Sequence, residues 1–250
     1  METAEGVAIV TGAARGIGLA TACALSPSHR AVVLLDQDAD SLGPACKTVD
    51  ATGTSAIGVV CDVSDFDDVG RQVHQIESDI GPIESVINNA GITRDSIFHR
   101  MSREDWDSVL DVNLGGAFNV SRQAVPAMRQ RGHGRIVNVA SRAILGNVGQ
   151  ANYSASKAGL VGLTRTLALE CARYGITVNC VCPGFTMTPM SAAVPEDVRA
   201  RVVASIPLGR PAAPEDIANA IAFFCGPSAS YITGSVLHVG GGRELSASPW

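Results

Sequence analysis

At 250 residues, with 46% hydrophobic and only 17% charged side chains, the chain carries enough apolar material for a large core. A formal charge of −5, with no basic run interleaved with aromatics, argues against a nucleic-acid binder. No stretch reaches the roughly 18 apolar residues of a membrane helix, and the start METAEGVAIVTG lacks the charged lead and apolar run of an export signal. The seven cysteines are scattered, without C-x-x-C or Cys/His metal spacing, so they read as reduced thiols of a cytoplasmic protein; no metal is expected. The five histidines are isolated, and none is assigned as a ligand or base.

The first strand signal is VAIVT (7–11). It runs into TGAARGIG (11–18), and a helical pattern follows over 16–26. Gly12 suits a tight turn, while Gly16 and Gly18, lacking Cβ, let a ligand or strand approach closely. A helix opening through Arg15, Gly16 and Ile17 offers unpaired N–H groups and a positive dipole end to a diphosphate. An ordinary glycine-rich strand–helix turn is the alternative. The second strand, AVVLLD (31–36), ends on Asp36, about 20 residues after the glycines, where a carboxylate can accept both ribose hydroxyls of an adenosine and repel a 2′-phosphate. A plain turn residue is the alternative there.

Further along, helical patterns at 38–52, 65–79, 102–130, 152–173 and 214–224 alternate with strand signals. The strands are SAIGVVC (55–61), SVINN (85–89), GRIVNVA (134–140), ITVNCVC (176–182) and SVLHV (235–239). Ser64-Asp65, Ser102-x-x-Asp105 and Pro214-Glu215-Asp216 mark helix starts. Most strands are apolar nearly throughout, as strands buried on both faces are. The pattern predicts an α/β Rossmann-type fold, a doubly wound parallel sheet of about seven strands with helices on both faces. No linker or repeat divides the chain, so it reads as a single domain over 1–250. Residues 184–213, rich in Pro and Met after a strand end, read as a lid over a ligand.

N-N-A-G at 88–91 and Y-S-A-S-K at 153–157 complete a series of motifs. The series is T-G-x-x-x-G-x-G at 11–18, Asp36, C-D-V at 61–63, N-N-A-G, Asn113 in DVNLGG, Ser141 in VNVAS, Tyr153-x-x-x-Lys157, and Pro183-Gly184 with Thr188. From Val7 to about Gly242 the chain resembles the short-chain dehydrogenase/reductase family, in which these pieces occur in this order. The resemblance implies a nicotinamide cofactor, hydride transfer on an alcohol or ketone, and a catalytic tetrad of Asn113, Ser141, Tyr153 and Lys157. Ser141 would hydrogen-bond the substrate oxygen, Lys157 the nicotinamide ribose, and Asn113 a water. Asp62 and Val63 would border the adenine, and Asn89, Ala90 and Gly91 would let the cofactor pass close. Pro183, Gly184, Thr186 and Thr188 would meet the nicotinamide amide. The resemblance also implies a homotetramer.

The residues carry their own argument. Tyr153 and Lys157 are four apart, which on a helix stacks them on one face. A neighbouring ammonium favours the phenolate and brings a tyrosine, ordinarily titrating near 10, towards the working pH. Tyr153 then serves as general acid or base.

Two departures from the family pattern stand out. Ser141 precedes Tyr153 by twelve residues instead of thirteen, which shortens the loop. Arg142 beside it brings a charge towards the substrate. In HVGGG (238–242), Gly240 replaces a common aspartate, which is expected to affect local structure.

NNAGITRDSIFHRMSREDWDSVLDVNLGGAFNVSRQAVPAM, PLGRPAAPEDIA and YITGSVLHV are closest to 3-oxoacyl-acyl-carrier-protein reductases of this family. Those use NADPH, and Arg15 matches the basic residue that holds its 2′-phosphate. Asp36, expected to face Arg15, opposes that phosphate, so NAD is expected, with NADP as the alternative. The leading expectation is a cytoplasmic NAD-dependent oxidoreductase of a secondary alcohol or ketone. Its rivals are an NADPH-dependent reductase of acyl thioesters and a non-catalytic dinucleotide sensor. Specificity is expected in Ile144–Gln150 and in 186–210. There Ile144, Leu145, Met187 and Met190 either suit an apolar substrate or merely pack. The tail RELSASPW, ending on Trp250, either docks on a neighbouring subunit or is disordered.

Overall fold

The computed structural model describes residues 6–192 and 194–245. The first half comprises β1 (Val7–Thr11), α1 (Gly16–Leu25), β2 (Ala31–Asp36), α2 (Ala39–Asp50), β3 (Ser55–Val60), α3 (Phe66–Asp79) and β4 (Ile83–Asn88). The second comprises α4 (Arg103–Leu110), α5 (Gly116–Arg131), β5 (Gly134–Val139), α6 (Ala151–Cys171), β6 (Ile176–Pro183), α7 (Pro189–Ala192), α8 (Glu196–Ala204), α9 (Pro214–Cys225) and β7 (Val236–Val239). All strand pairs are parallel, in the order β3-β2-β1-β4-β5-β6-β7. The order reverses between β1 and β4, so a crevice opens beyond their C-terminal ends.

Alternate side chains of each strand feed two cores. Val7, Ile9, Val33 and Leu35 pack with Val69, Val73 and Ile76 of α3 and Val120 and Met128 of α5. Ala8, Val10, Val32 and Leu34 pack on the other face with Leu25 of α1, Val49 of α2 and Ile217, Ile221 and Phe224 of α9. Each fully buried Leu or Ile contributes about 1.5–3 kcal/mol. The expected burial on both faces holds for the five inner strands apart from Asp36 and Glu84, although β4, β5 and β6 also bury polar side chains such as Ser85, Asn138 and Asn179. It fails at the edges, where Val60 of β3 and Leu237 of β7 are exposed because an edge strand has one neighbour and thinner cover.

The helix starts follow their capping residues. Asp65 accepts from the amides of Asp67 and Asp68. Ser102 accepts from the amide of Asp105 at 3.0 Å. Pro214 opens α9, and the Asp216 carboxylate accepts from the amide of Ala213 at 2.8 Å.

Three expectations need correction. β4 begins at Ile83, two residues before the apolar run, because Ile83 pairs with Val7. The expected helix 102–130 is interrupted by one wide π turn over Asp111–Gly115. Gly116 follows this turn because a Cβ there would lie 2.6 Å from Val63 Cγ2. Residues 184–213 are not a bare connection: they hold α7 and α8, too short and weakly patterned to read from periodicity. Trp250 lies outside the described residues, as does the side chain of Met190. Among the described residues, no helix is long and apolar enough to cross a membrane.

Candidate active site

The crevice is floored by the loop after β1. Gly12 and Gly16 both have positive φ, 61° and 57°. Gly16 therefore serves backbone conformation first, and the closest atom a Cβ there would meet is Thr188 Cγ2, at 3.4 Å. Gly18 is the steric glycine: a Cβ would collide with the Gly12 carbonyl oxygen and come within 2.7 Å of Asn89 Nδ2. Unlike α2, α3 and α4, α1 has neither a capping side chain nor an acidic residue in its first turn. Its positive end is thus left for an anion, as a diphosphate-binding turn requires.

Asn89 and Thr11 tie this loop to β4. Asn89 Nδ2 donates to the carbonyls of Thr11 (2.9 Å) and Gly12 (3.0 Å). The Thr11 hydroxyl accepts from the amides of Asn89 (3.0 Å) and Ala90 (2.9 Å). Asn89 is thus a strut of the cradle, and Ala90 lies so near Gly12 that a Cβ on the glycine would sit 2.9 Å from its Cα. Gly91 lies against the reacting end: a Cβ there would stand 3.2 Å from both Asn113 Oδ1 and Lys157 Nζ.

At the end of β2, the Asp36 carboxylate accepts from the amides of Ala14 (3.0 Å) and Asp38 (3.1 Å). Arg15 does not face Asp36, contrary to expectation. Its guanidinium pairs with Asp38 at 3.5 Å. The Ser41 hydroxyl, first, and then Arg15 hold the Asp38 carboxyl below the usual carboxylate range. Both of Asp36's oxygens are already engaged by backbone, which leaves Asp38 as the better partner for a side chain reaching over the loop. Asp62 caps its own turn, accepting from Ser64 at 2.9 and 2.7 Å. Val63 is buried, and Asn119 holds its carbonyl at 2.9 Å.

At the other end, Tyr153 and Lys157 lie one turn apart on α6. Lys157 is buried, and its Nζ donates to the Val139 carbonyl at 2.9 Å. The ammonium stands 5.7 Å from the centre of the Tyr153 ring. Burial pulls Lys157 down to about 8, with the neighbouring Cys180 and Cys182 acting in the opposite sense. The expected lowering of Tyr153 is not observed. Burial raises the phenol above its ordinary value, Ser141 acts to lower it, and Asp95 adds to the rise. Desolvation of the buried phenol outweighs the lowering by Ser141.

The one-residue-shorter loop leaves Ser141 beside Tyr153. The loop holds a 3-10 turn over Arg142–Leu145, followed by Gly146 and Gly149, both at positive φ. Asn113 sits in the π turn, a device often found at functional sites. Its side chain accepts from the Ile92 amide (2.8 Å) and donates to the Ile92 carbonyl and Ser156 Oγ (both 3.1 Å).

The motifs pass over Asn152, which is fully buried. It donates to the carbonyls of Arg94 and Asp105 (both 3.0 Å) and accepts from the Tyr153 amide at 2.8 Å. It pins the start of α6 and with it the tyrosine. Its only sequence signal is an asparagine near a helix start. Asn88 and Asn138 form a second buried link, donating to Asn138 and Thr164 respectively at 2.8 Å each, and nothing in the local sequence announces it.

Beyond β6, Gly184 donates to the Val239 carbonyl at 2.9 Å, and a Cβ there would lie 2.6 Å from Gly240 Cα. A side chain at Gly240 would in turn collide with the Glu244 carboxylate. The departure at Gly240 thus belongs to local packing. Thr186 is buried, with its hydroxyl on the Gly184 carbonyl at 3.3 Å. Thr188 reaches towards Gly16 and closes the cradle from above. Pro183 ends β6 at the same level.

Known proteins resemble this chain over nearly its whole length. A family model described as enoyl-(acyl carrier protein) reductase matches residues 12–244. The 3-oxoacyl-[acyl-carrier-protein] reductase FabG of Thermotoga maritima is 42% identical over 96% of this chain and 98% of its own. FabG of Escherichia coli is 41% identical over 96% and 97%. The (2S)-[(R)-hydroxy(phenyl)methyl]succinyl-CoA dehydrogenase subunit BbsD of Thauera aromatica is also 41% identical, over 96% and 97%. The chain belongs to the short-chain dehydrogenase/reductase family of nicotinamide-dependent oxidoreductases.

Proposed function

We propose an NAD-dependent oxidation or reduction at a secondary alcohol or ketone, with Tyr153 as the general acid and base. The observation that carries it is the stacking of Tyr153 and buried Lys157 on α6, with the ammonium 5.7 Å from the ring and Ser141 beside the phenol. The nicotinamide, when bound, supplies or takes up the hydride. Gly12, Gly16, Gly18 and the open end of α1 hold the diphosphate, with Arg15 and Ile17 at its edge. Asp36 takes the adenosine ribose, and Asp62 and Val63 border the adenine. Asn89, Ala90 and Gly91 line the middle, and Pro183, Gly184, Thr186 and Thr188 the nicotinamide end. Tyr153 gives its proton to the carbonyl oxygen in reduction and takes it back in oxidation. Ser141 donates to the same oxygen. Lys157 keeps a positive charge under the reacting centre, and Asn113 fixes the wall through Ile92 and Ser156. The whole chain acts as one domain, with residues 184–213 as its lid. The absence of any buried residue in α8 supports the lid reading, since such a helix is loosely held.

The choice of NAD rests on charge. A 2′-phosphate would approach Asp36 and Asp38 together, and Arg15 is already engaged by Asp38. Like charges repel, so both carboxylates oppose a phosphate placed there. A second reading, NADPH-dependent reduction of 3-oxoacyl thioesters, is favoured by the names of the FabG relatives. Kinetics with each cofactor and a panel of ketones, diketones and acetoacetyl thioesters separates the two. We expect kcat/KM for NADH to exceed that for NADPH by more than about tenfold, and Asp36→Ala with Asp38→Ala to narrow the gap. A preference for NADPH together with thioesters establishes the second reading. Tight NAD binding with no turnover of any panel member supports a sensor.

We also propose a cytoplasmic homotetramer. The seven free thiols fit a reducing compartment, and Phe118 on α5 and Leu169 on α6 leave apolar surface on long helices. Sedimentation at micromolar concentration is expected to give four copies; a monomer overturns this.

A further inference from the structure

The three glycines after β7, and the arginine that follows them, have no part in the hydride chemistry. Gly241 and Gly242 have φ of 64° and 87°, a conformation that favours glycine. Their turn is closed by Arg243, whose amide donates to the Gly240 carbonyl at 3.3 Å. It stands against both stems of the segment 184–213, the outgoing stem at 184–188 and the returning stem at 205–212.

Residues 240–243 meet those stems one after another. Gly240 lies against the root of the outgoing stem: a Cβ on Gly184 would stand 2.6 Å from Gly240 Cα. Just before it, the Val239 carbonyl accepts from the Gly184 amide at 2.9 Å. Gly241 lies against the returning stem. A Cβ there would stand 2.7 Å from Ile206 Cγ2, and its carbonyl accepts from the Leu208 amide at 3.2 Å. A Cβ on Gly242 would stand 3.0 Å from Pro207 Cγ. Arg243 Nε donates to Ser205 Oγ at 2.8 Å, and that hydroxyl donates to the Val202 carbonyl of α8 at 2.6 Å. The stems also pair with each other, Met187 donating to the Ala212 carbonyl and Ala212 to the Phe185 carbonyl, both at 2.9 Å. A cavity of about 170 Å³ lined by Phe185, Ile206, Leu208 and Ala212 lies beside this pairing, so side-chain packing alone does not fix the stems. With no buried residue among those described in α8, that helix is placed by its ends.

We infer that residues 240–243 are the seat of the lid. They set where the returning stem and α8 stand relative to the outgoing stem, which carries Thr186 and Thr188 to the cofactor cradle. Arg243 is a positioning residue: it fastens α8 and acts on cofactor binding through Ser205. The inference rests on the reading of 184–213 as a lid. It gives the glycine run at 240–242 a role, since side chains there would wedge the stems off the end of β7.

The test uses the full-length protein, NADH and trypsin. Arg201 on α8 is three-quarters exposed, and cleavage after it, read by mass spectrometry, reports the release of that helix. Ser205→Ala and Arg243→Met each remove the same bond and leave the buried core untouched. Each is expected to speed that cleavage about fivefold and to raise the NADH dissociation constant, read by fluorescence, about fivefold. The melting temperature is expected to change by less than about 4 °C, because α8 opens locally. A merely structural role would not separate cofactor affinity from melting in this way. The double variant is expected to match the single ones, since one bond is lost in all three. Wild-type cleavage and NADH affinity in both single variants overturn the seat, as do additive effects in the double variant. Faster cleavage with unchanged NADH affinity supports the fastening of α8 and overturns the lid reading on which its effect on the cofactor rests. NADH that fails to bind the wild type removes the nicotinamide reading, and the cleavage rates still decide the fastening.

Discussion

Replacing Tyr153 with phenylalanine is expected to lower kcat by about a thousandfold, with the dissociation constant for NADH changed less than about twofold. The ring stays where it is because α6 is pinned from outside it. Asn152 holds the Tyr153 amide at 2.8 Å, and Ser156 donates to the Tyr153 carbonyl at 2.8 Å. Phenylalanine keeps those backbone bonds and the ring, and loses only the hydroxyl that carries the proton. The raised phenol adds a direction in pH. A phenol held above its ordinary value by burial stays protonated through neutrality, ready to donate. Ketone reduction should therefore be sustained at neutral pH, while alcohol oxidation, which needs the phenolate, should rise as the solution becomes alkaline. Steady-state kinetics in both directions and a fluorescence titration of cofactor binding check this. Turnover within tenfold of the wild type in the variant sinks the mechanism.

Lys157→Met is expected to abolish useful turnover and at the same time stabilise the cofactor-free protein at neutral pH by roughly 3 kcal/mol. Lys157 is 3% exposed, and its Nζ has one hydrogen-bond partner among the described residues, the Val139 carbonyl. Its folded value of about 8 lies below the ordinary 10.5. Below about 8 the side chain is charged in both states, and the folded protein bears the full penalty of burying it. Between about 8 and 10.5 the folded protein sheds the proton first, so stability rises with pH across that window. Above it the gain is complete. Urea denaturation at pH 7.5 and pH 9.5 should find the gap between variant and wild type shrinking as pH rises. Equal pH slopes in the two proteins would show that the buried charge is not its cause. A lysine kept at such a cost to stability is what a functional role predicts.

Much of this was legible in the chain. The strands over 7–11 and 31–36 fall where the apolar runs lie, because a buried parallel strand needs a continuous apolar stretch and nothing remote. Ser102, Asp65 and Pro214 mark their helix starts because caps act within three residues. Tyr153 and Lys157 are readable as a pair because helical spacing alone stacks them.

Only the tertiary structure decided the rest. Arg15 pairs with Asp38 and not Asp36 because the amides of Ala14 and Asp38 occupy the Asp36 carboxylate, and those amides arrive only when the β1 loop packs over the end of β2. Tyr153 is raised and not lowered because burial, a property of the assembled crevice, outweighs the lowering by Ser141. Asn152 and Thr11 hold the site through bonds to Arg94, Asp105, Asn89 and Ala90, partners up to 79 positions away. By itself the sequence determined what depends on neighbours: periodicity, caps and motif spacing. The fold decided what depends on distance in space: which charges meet, which lose their water, and which small residues let two backbones touch.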